Sequence, residues 1–402
     1  MSDSSVKAQT VGILRRIKRG TYRTARSISE RIVTRGVFEQ LLDFPKPEPS
    51  QIRSRPHVLI ARYRDHSKDP TLGESTEAHF LDNSLALTGL ASYDTFFWES
   101  DYRGFPGGDW ALLEKCRAVR PDAIVLSSYE AGHHTMPRLE TIRMIRKTWN
   151  IPIIAFWYDT CWDGFWASIR PLLDYVDLHV VPDNPAMTFV DAGNQALCNE
   201  RFLWLALPWD FRIYHNPGRT RDIDVSFLGQ VGGYRSPRMP YIEHLMEHNV
   251  PIYWAGFDRA QQRPLSKYVE VLTRSRIALN FSHSVNHHQL KGRVYEIMLC
   301  GAMMLETSNP QTSLRFTPMK DYVSFDSKGD LVDKVRYFLA HDDERAEIAA
   351  RGQARAVHEC DSVAFWNLVF GRLEHLTGRH LPSSTAAAAA SGLQPTGYNI
   401  SR

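Results

Sequence analysis

The sequence predicts an α/β protein of two Rossmann-like units facing each other across a cleft. Three observations predict it. The chain has 402 residues, more than one hydrophobic core usually organises. Short, continuously apolar runs alternate with longer helix-like stretches, the mark of a parallel sheet covered on both faces. The alternation runs twice, with a break near 210–222 where Pro217 and Gly218 interrupt it.

Residues 1–50 stand apart as a basic extension. Lys7 to Arg35 hold nine Lys/Arg against one acid, Glu30. Leu14, Ile17, Ile28 and Ile32 fall near helical spacing, with Arg15, Arg16, Lys18, Arg19, Arg23 and Arg26 on the other faces. Such a segment reads as a basic amphipathic helix on an anionic membrane surface, which makes residues 7–35 a site of peripheral membrane contact. It also reads as a solvated extension, because Gly12 and Gly20 weaken a helix, or as a transit peptide. Pro45, Pro47 and Pro49 then break the chain.

The first unit spans 51–215. Its strands are expected at 57–63, 93–98, 123–127, 152–158, 177–181 and 201–204, each apolar and rich in β-branched or aromatic residues. Helix-like stretches such as 75–90 and 137–149 lie between them. The second unit spans 216–360, with strands at 223–228, 251–255, 276–281, 302–306 and 322–325. Its helices are expected at 237–248, 264–274, 290–300, 329–340 and 343–358. Segment 361–380 carries a last amphipathic helix over 362–377. Residues 381–402 include a TAAAAASG run with little to bury and read as disordered.

Composition narrows the class. Apolar content of 43% and charged content of 23% are ordinary for a globular protein. A net charge of +3 is too small an excess for a nucleic-acid-binding protein, so no nucleic-acid partner is expected. Cys116, Cys161, Cys198, Cys300 and Cys360 are an odd, scattered set, which fits neither a disulfide framework nor a zinc site. A reducing, cytoplasmic setting is therefore expected. No stretch reaches the roughly eighteen apolar residues of a membrane span, and the N-terminus lacks the apolar region of a secretory signal.

The chemistry concentrates in the second unit. Segment 280–301 reads NFSHSVNHHQLKGRVYEIMLCG: a strand end with Asn280 and Ser282, a polar loop, then a helix beginning near Gln289 or Leu290. Lys291, Gly292 and Arg293 fall in its first turn, where free N–H groups and the helix dipole attract phosphate. Glu296 follows Arg293 by three residues on the same face, an offset suited to a ribose diol. The bland reading is an Arg293–Glu296 pair on a solvated face. A second segment, the turn after the strand at 223–228, offers Gly229, Gly232 and Gly233 for close backbone approach and Arg235 for a phosphate. No GxGxxG fingerprint occurs, which counts against a nicotinamide or flavin enzyme.

These segments resemble a known family. RDIDVSFLG near 221, LSKYVEVLTRSRIALNFS at 265–282, LKGRVYEIMLCGAMML at 290–305 and DLVDKVRYFLAHDDERAEIAARG at 330–352 resemble the C-terminal domain of the CgeB-like branch of group-one glycosyltransferases. The resemblance covers roughly 215–380. It implies the two-domain GT-B fold, a nucleoside-diphosphate sugar as donor, an acceptor it does not identify, and no metal or other cofactor. It implies that Arg293 and Lys291 hold the diphosphate, that Glu296 takes the ribose, and that the last helix crosses back to the first unit. Related group-one transferases often carry two glutamates seven residues apart. Glu296 matches the second, and His288 stands at the place of the first, so the sequence departs from that pattern. A nucleotide-sugar epimerase or hydrolase, or a degenerate nucleotide-sugar binder, are the competing readings.

Transfer without metal needs cations at the leaving diphosphate, for which Lys291, Arg293 and Arg235 are available. An inverting reaction also needs a base near the acceptor hydroxyl. The strand-end loops of the first unit supply Glu130, His133, His134, Asp159 and Asp163, of which His133 and Asp159 are the expected catalytic pair. Asp222-Ile223-Asp224 is formally a DxD but precedes a strand, and His283, His287 and His288 have no carboxylate or cysteine close in sequence to complete a metal site. Phe156, Trp157 and Tyr158, with Trp162 and Trp166, divide between strand core and an aromatic platform for a sugar.

Overall fold

The computed structural model describes residues 53–255, 264–282 and 288–381. The basic extension, with its expected membrane contact at 7–35, and the tail beyond Leu381 lie outside the described residues. So do His283 and His287.

The eleven expected strands are all present. β1 (His57–Arg62), β2 (Ser92–Phe97), β3 (Ala123–Ser127), β4 (Ile153–Phe156), β5 (Leu178–Val181) and β6 (Phe202–Trp204) belong to the first unit. β7 (Ile223–Leu228), β8 (Ile252–Ala255), β9 (Ser275–Asn280), β10 (Met303–Thr307) and β11 (Val323–Phe325) belong to the second. The sheets are parallel, with orders β2-β1-β3-β4-β5-β6 and β11-β10-β9-β7-β8. Every residue of β1, β3, β4, β5 and β10 is buried, as a sheet covered on both faces requires.

Strand order reverses between β1 and β3 and again between β7 and β9. Loops leaving the carboxyl ends diverge at such a point and open a crevice. The segments that follow β1, β3, β7 and β9 are therefore the ones the topology sends to the cleft.

Helices cover the sheets. The expected helix over 75–90 is shorter: Ala78–Asn83 is wound as a π-helix and continues as the α-helix Ser84–Thr88. That over 137–149 likewise divides into Leu139–Arg143 and the π-helical Met144–Thr148. The helix Gly107–Val119, between β2 and β3, is an addition to the expected set. In the second unit Lys328–Ala340 starts on Ser327, whose hydroxyl accepts from the Asp330 N–H at 3.1 Å.

One helix changes unit. The chain leaves the second unit after Asp342–Glu359 and folds Ser362–Thr377 back onto the first sheet. Asp361 caps its start by accepting from the Ala364 N–H, and Gly378, at φ 64°, ends it in the left-handed conformation glycine tolerates. Trp366 is fully buried against Phe156, and its indole N–H donates to the Ser84 hydroxyl at 2.9 Å. Leu381, expected to open a disordered tail, is buried, and its N–H donates to the Glu374 carboxylate at 2.6 Å. A buried hydrophobic cluster runs without a break from β1 and β4 through this helix to Val294, Ile297 and Met298 of the second unit.

Truncating a buried tryptophan loses its apolar contacts, leaves a cavity and orphans the Ser84 partner. Trp366→Ala is expected to lower unfolding stability by about 3–5 kcal/mol, read as a fall in the urea midpoint.

Candidate active site

Two cavities open between the units. The first, about 530 Å³, has a floor from the second unit: Gly229 and Arg235 after β7, Tyr268 and Val271 from the helix Leu265–Arg274, and Arg293 and Glu296 after β9. Its facing wall is the segment after β1, with His66, Leu72, Glu74 and Thr76. The second, about 710 Å³, lies largely against the first unit, where Glu77, Ser128, Tyr158 and Asp159 face Gln289, Lys291 and Gly292. Both sit where the reversed strand orders send their loops.

The helix after β9 begins later than expected. It spans Gly292–Leu299, with Lys291 as its N-cap residue and Gly292 and Arg293 as its first two positions. The preceding residues are drawn into the interface instead. The Leu290 N–H donates to the buried Asp183 carboxylate at 2.8 Å, and the Gln289 side-chain amide donates to Asp159 at 2.6 Å. Gly292 is needed here, because a Cβ would lie 2.9 Å from the Trp209 ring. Gly301, at φ 73°, follows the far end of the helix.

Arg293 passes directly over Gly229. A Cβ at that glycine would lie 2.8 Å from the guanidinium, so the Arg293 cation and the glycine turn are one fitted pair. The guanidinium lies 5.6 Å from the Phe227 ring centroid, donates to Asn280 at 3.4 Å, and keeps its buried Nε without a hydrogen-bond partner among the described residues. Glu296 does not lie on a solvated face. It accepts from the Tyr268 hydroxyl, and burial raises its pKa against that bond and the nearby Arg293 charge. Lys291 donates to the Gln289 side chain. Burial lowers its pKa, partly offset by Asp159. Arg235 is held by the Gln230 carbonyl oxygen of the side chain at 2.7 Å and lines the first cavity.

Other expected site residues sit elsewhere. Asn280 and Ser282 are fully buried and line neither cavity. Their side chains donate to Glu306 at the end of β10, and Asn280 also accepts from Arg293, so they brace the strand ends. Gly232 also lies outside both linings. His133 lines neither cavity: its ring stacks on His134 with centroids 4.6 Å apart, and its Nδ1 is engaged by Thr135. Asp159 does line the second cavity, holding Gln289.

The remaining motifs resolve plainly. Asp222 pairs with Arg274 at 2.5 Å and Asp224 with Arg276 at 3.2 Å, so the DxD tacks β7 to its neighbours. Of the aromatic run, Phe156 and Trp157 are core and Tyr158 faces the second cavity. Among the described residues, His244, Glu247 and His248 come within metal-ligand reach of one another at the end of the helix Met239–Glu247 and its C-cap, outside both cavity linings.

Sequence reasoning missed three site groups. Glu77 is buried beside the second cavity, accepting from the Tyr63 N–H at 2.9 Å and the Ser128 hydroxyl at 3.2 Å, and burial pushes its pKa up to about 7. Ser128 reaches it from a left-handed backbone, φ 51°. His66 borders both cavities, and burial lowers its pKa. Arg62, buried at the end of β1, pairs with Asp82 at 2.5 Å and Glu74 at 3.2 Å and so anchors the segment carrying His66.

Comparison with known proteins places this fold. Residues 218–365 match the family model described as glycosyl transferase-like. The fold is GT-B. Anabaena Alr3699/HepE, solved in complex with UDP and glucose, is 11% identical, with 80% of this chain and 100% of that one covered and a TM-score of 0.55. Sucrose-phosphate synthase from Thermosynechococcus elongatus is 10% identical, with coverage of 80% and 98% and a TM-score of 0.52. An α-glucosyltransferase in complex with UDP and a 13-mer DNA is 9% identical, with coverage of 79% and 99% and a TM-score of 0.52. At these identities the likeness is one of fold. A search among curated proteins finds no match. Among the described residues, no helix is long and apolar enough to cross a membrane.

Two outcomes follow from this arrangement. Gly229→Ala should leave the fold intact yet displace the Arg293 guanidinium, so that a sugar nucleotide tested as ligand of the first cavity binds about tenfold, or about 1.4 kcal/mol, more weakly than to wild type in calorimetric titration. Glu306 is fully buried, and burial raises its pKa to about 7 against the bonds from Ser282, Thr312, Asn280 and Asn309. Its folded pKa exceeds its unfolded one, so its stability contribution is present in acid and is lost as pH rises from about 4.5 through about 7. Between about pH 5 and pH 8, wild type should lose up to about 3 kcal/mol relative to Glu306→Gln, measured by denaturant titration.

Proposed function

We propose that this protein is a glycosyltransferase that moves a sugar, of hexose type, from a nucleoside diphosphate to an acceptor hydroxyl without using a metal. The observation that carries this reading is the first cavity. Arg293 over Gly229 and Arg235 supply cations and close backbone approach on one side, with Glu296 one helical turn away. That spacing suits a diphosphate bound at Arg293 and a ribose diol at Glu296. HepE, which shares this fold, is solved with UDP and with UDP-glucose, and the α-glucosyltransferase is solved with UDP, which supports a nucleotide-sugar donor here.

Cleavage of the donor leaves negative charge on the diphosphate. Arg293, Arg235 and the N-terminal N–H groups beside Lys291 are fixed before that charge develops, so they stabilise it without reorganising. Pre-placed protein cations take the role that a divalent ion fills in a metal-dependent transferase. The second cavity, with Tyr158 and Asp159, is the acceptor side. A CgeB-like branch, glycan biosynthesis inside the cell and membrane contact through residues 7–35 complete the proposal, and all three rest on the sequence.

The test is thermal stabilisation by UDP, GDP, ADP and dTDP sugars, with and without EDTA. A donor at about 100 times its dissociation constant should stabilise wild type by about 2.7 kcal/mol. Arg293→Ala and Glu296→Ala should each lose most of that shift, and EDTA should change nothing. A protein that no nucleotide stabilises would not be a nucleotide-sugar transferase.

A further inference from the structure

Resting on that donor reading, the geometry points to His66 as the base that takes the acceptor's proton, and hence to transfer with inversion at the anomeric carbon. The argument starts from the two cavities. Sugar transfer happens where donor and acceptor meet, so the reacting atoms lie at the boundary between the cavities. Among the described residues, His66 and Thr76 are common to both linings, and of these His66 alone can take up a proton at neutral pH.

Direction supports the same residue. The cations and glycine turn that would hold the diphosphate belong to the second unit, whereas His66 stands on the opposite wall, in the segment after β1. With the nucleotide lying along the second unit, its sugar points to the first. A nucleophile activated at His66 approaches the anomeric carbon from the side opposite the leaving group.

Among the described residues, no carboxylate lines both cavities: Asp65, Glu77, Glu130 and Asp159 line the second alone, and Glu74, Glu270 and Glu296 the first alone. Glu74 is tied to Arg62, and Glu77 faces the second cavity alone, bonded through both oxygens. Asp159 also faces only the second cavity and holds Gln289.

His66 is also firmly carried. Its N–H donates to the Gly73 carbonyl at 2.9 Å, Asp65 and Glu74 form an antiparallel bridge, and the Ser75 N–H donates to the Arg64 carbonyl at 2.8 Å. Arg62 pins the far strand of this clip through Glu74. Partial burial favours the neutral imidazole, the form a base requires.

The step balances simply. The acceptor O–H proton passes to the imidazole as the acceptor oxygen bonds to the anomeric carbon. The carbon–oxygen bond to the diphosphate breaks, and its electron pair leaves on the nucleoside diphosphate, facing Arg293 and Arg235. The imidazolium then releases its proton to solvent.

The experiment uses the full chain, UDP-glucose or whichever sugar nucleotide of the panel stabilises it, and water as acceptor. Sugar release is followed by proton NMR before mutarotation. Wild type should first release the anomer opposite to that of the donor. His66→Asn should keep the donor-induced thermal shift and lose at least about 100-fold in release rate. Release of the donor's own anomer, a His66→Asn rate within about threefold of wild type, or no release by a donor-binding wild type would overturn the inference while leaving the donor reading standing. A wild type that no donor stabilises would overturn both.

Discussion

The buried Asp183 carboxylate ties the first unit to the start of the helix Gly292–Leu299. Asp183, at the end of β5, is wholly removed from solvent and accepts from the Thr160 hydroxyl at 2.7 Å and, across the interface, from the Leu290 N–H at 2.8 Å. Burial raises its pKa, so these donors are what keep a charge tolerable there. The bond to Leu290 fixes where the helix Gly292–Leu299 starts, and with it the positions of Lys291, Gly292 and Arg293. Gln311 adds to the same seam, accepting from the Asn184 N–H at 2.8 Å and donating to the His288 carbonyl at 2.5 Å. Loops from both sheets thus close on one short stretch of chain, and each cavity takes part of its wall from that stretch.

The site combines fixed and crowded elements. Gly229 and Gly292 are small because Arg293 and Trp209 occupy the space a Cβ would need. Arg238, buried behind them, donates to the carbonyls of Gln230 and Phe281 and so ties the β7 and β9 loops together. A site with positions set this tightly does not reorganise when charge moves, which is the condition for catalysis by fixed dipoles and cations.

Much of this was legible in the sequence, and the limits are physical. Short apolar runs marked every strand, most clearly β1, β3, β4, β5 and β10, which are buried on both faces, and a strand end followed by Gly229 and Arg235 marked a turn that lines the first cavity. Asn280 and Ser282 stood at the right strand end, but their neighbours did not follow from it: their side chains face Glu306, which is distant in sequence and brought in by β10. His133 lay in a loop of the right kind yet stacks on His134 outside both cavities. Asp183, Glu77 and His66 acquire their roles from the opposite unit or from burial. A proton-binding group's neighbours across an interface leave no trace in local spacing. Helix starts shifted for a similar reason, since Leu290 serves the interface before it can serve the helix.

The chain crosses between the units twice, once between β6 and β7 and again where Ser362–Thr377 returns to the first sheet. Two tethers constrain relative motion differently from one. A single linker lets one lobe swivel about any axis, whereas two separated attachment points leave low-cost rotation about the line joining them. Any relative rotation of the two units is therefore least costly about that line, on an axis set by the loop between β6 and β7 and the start of Ser362–Thr377.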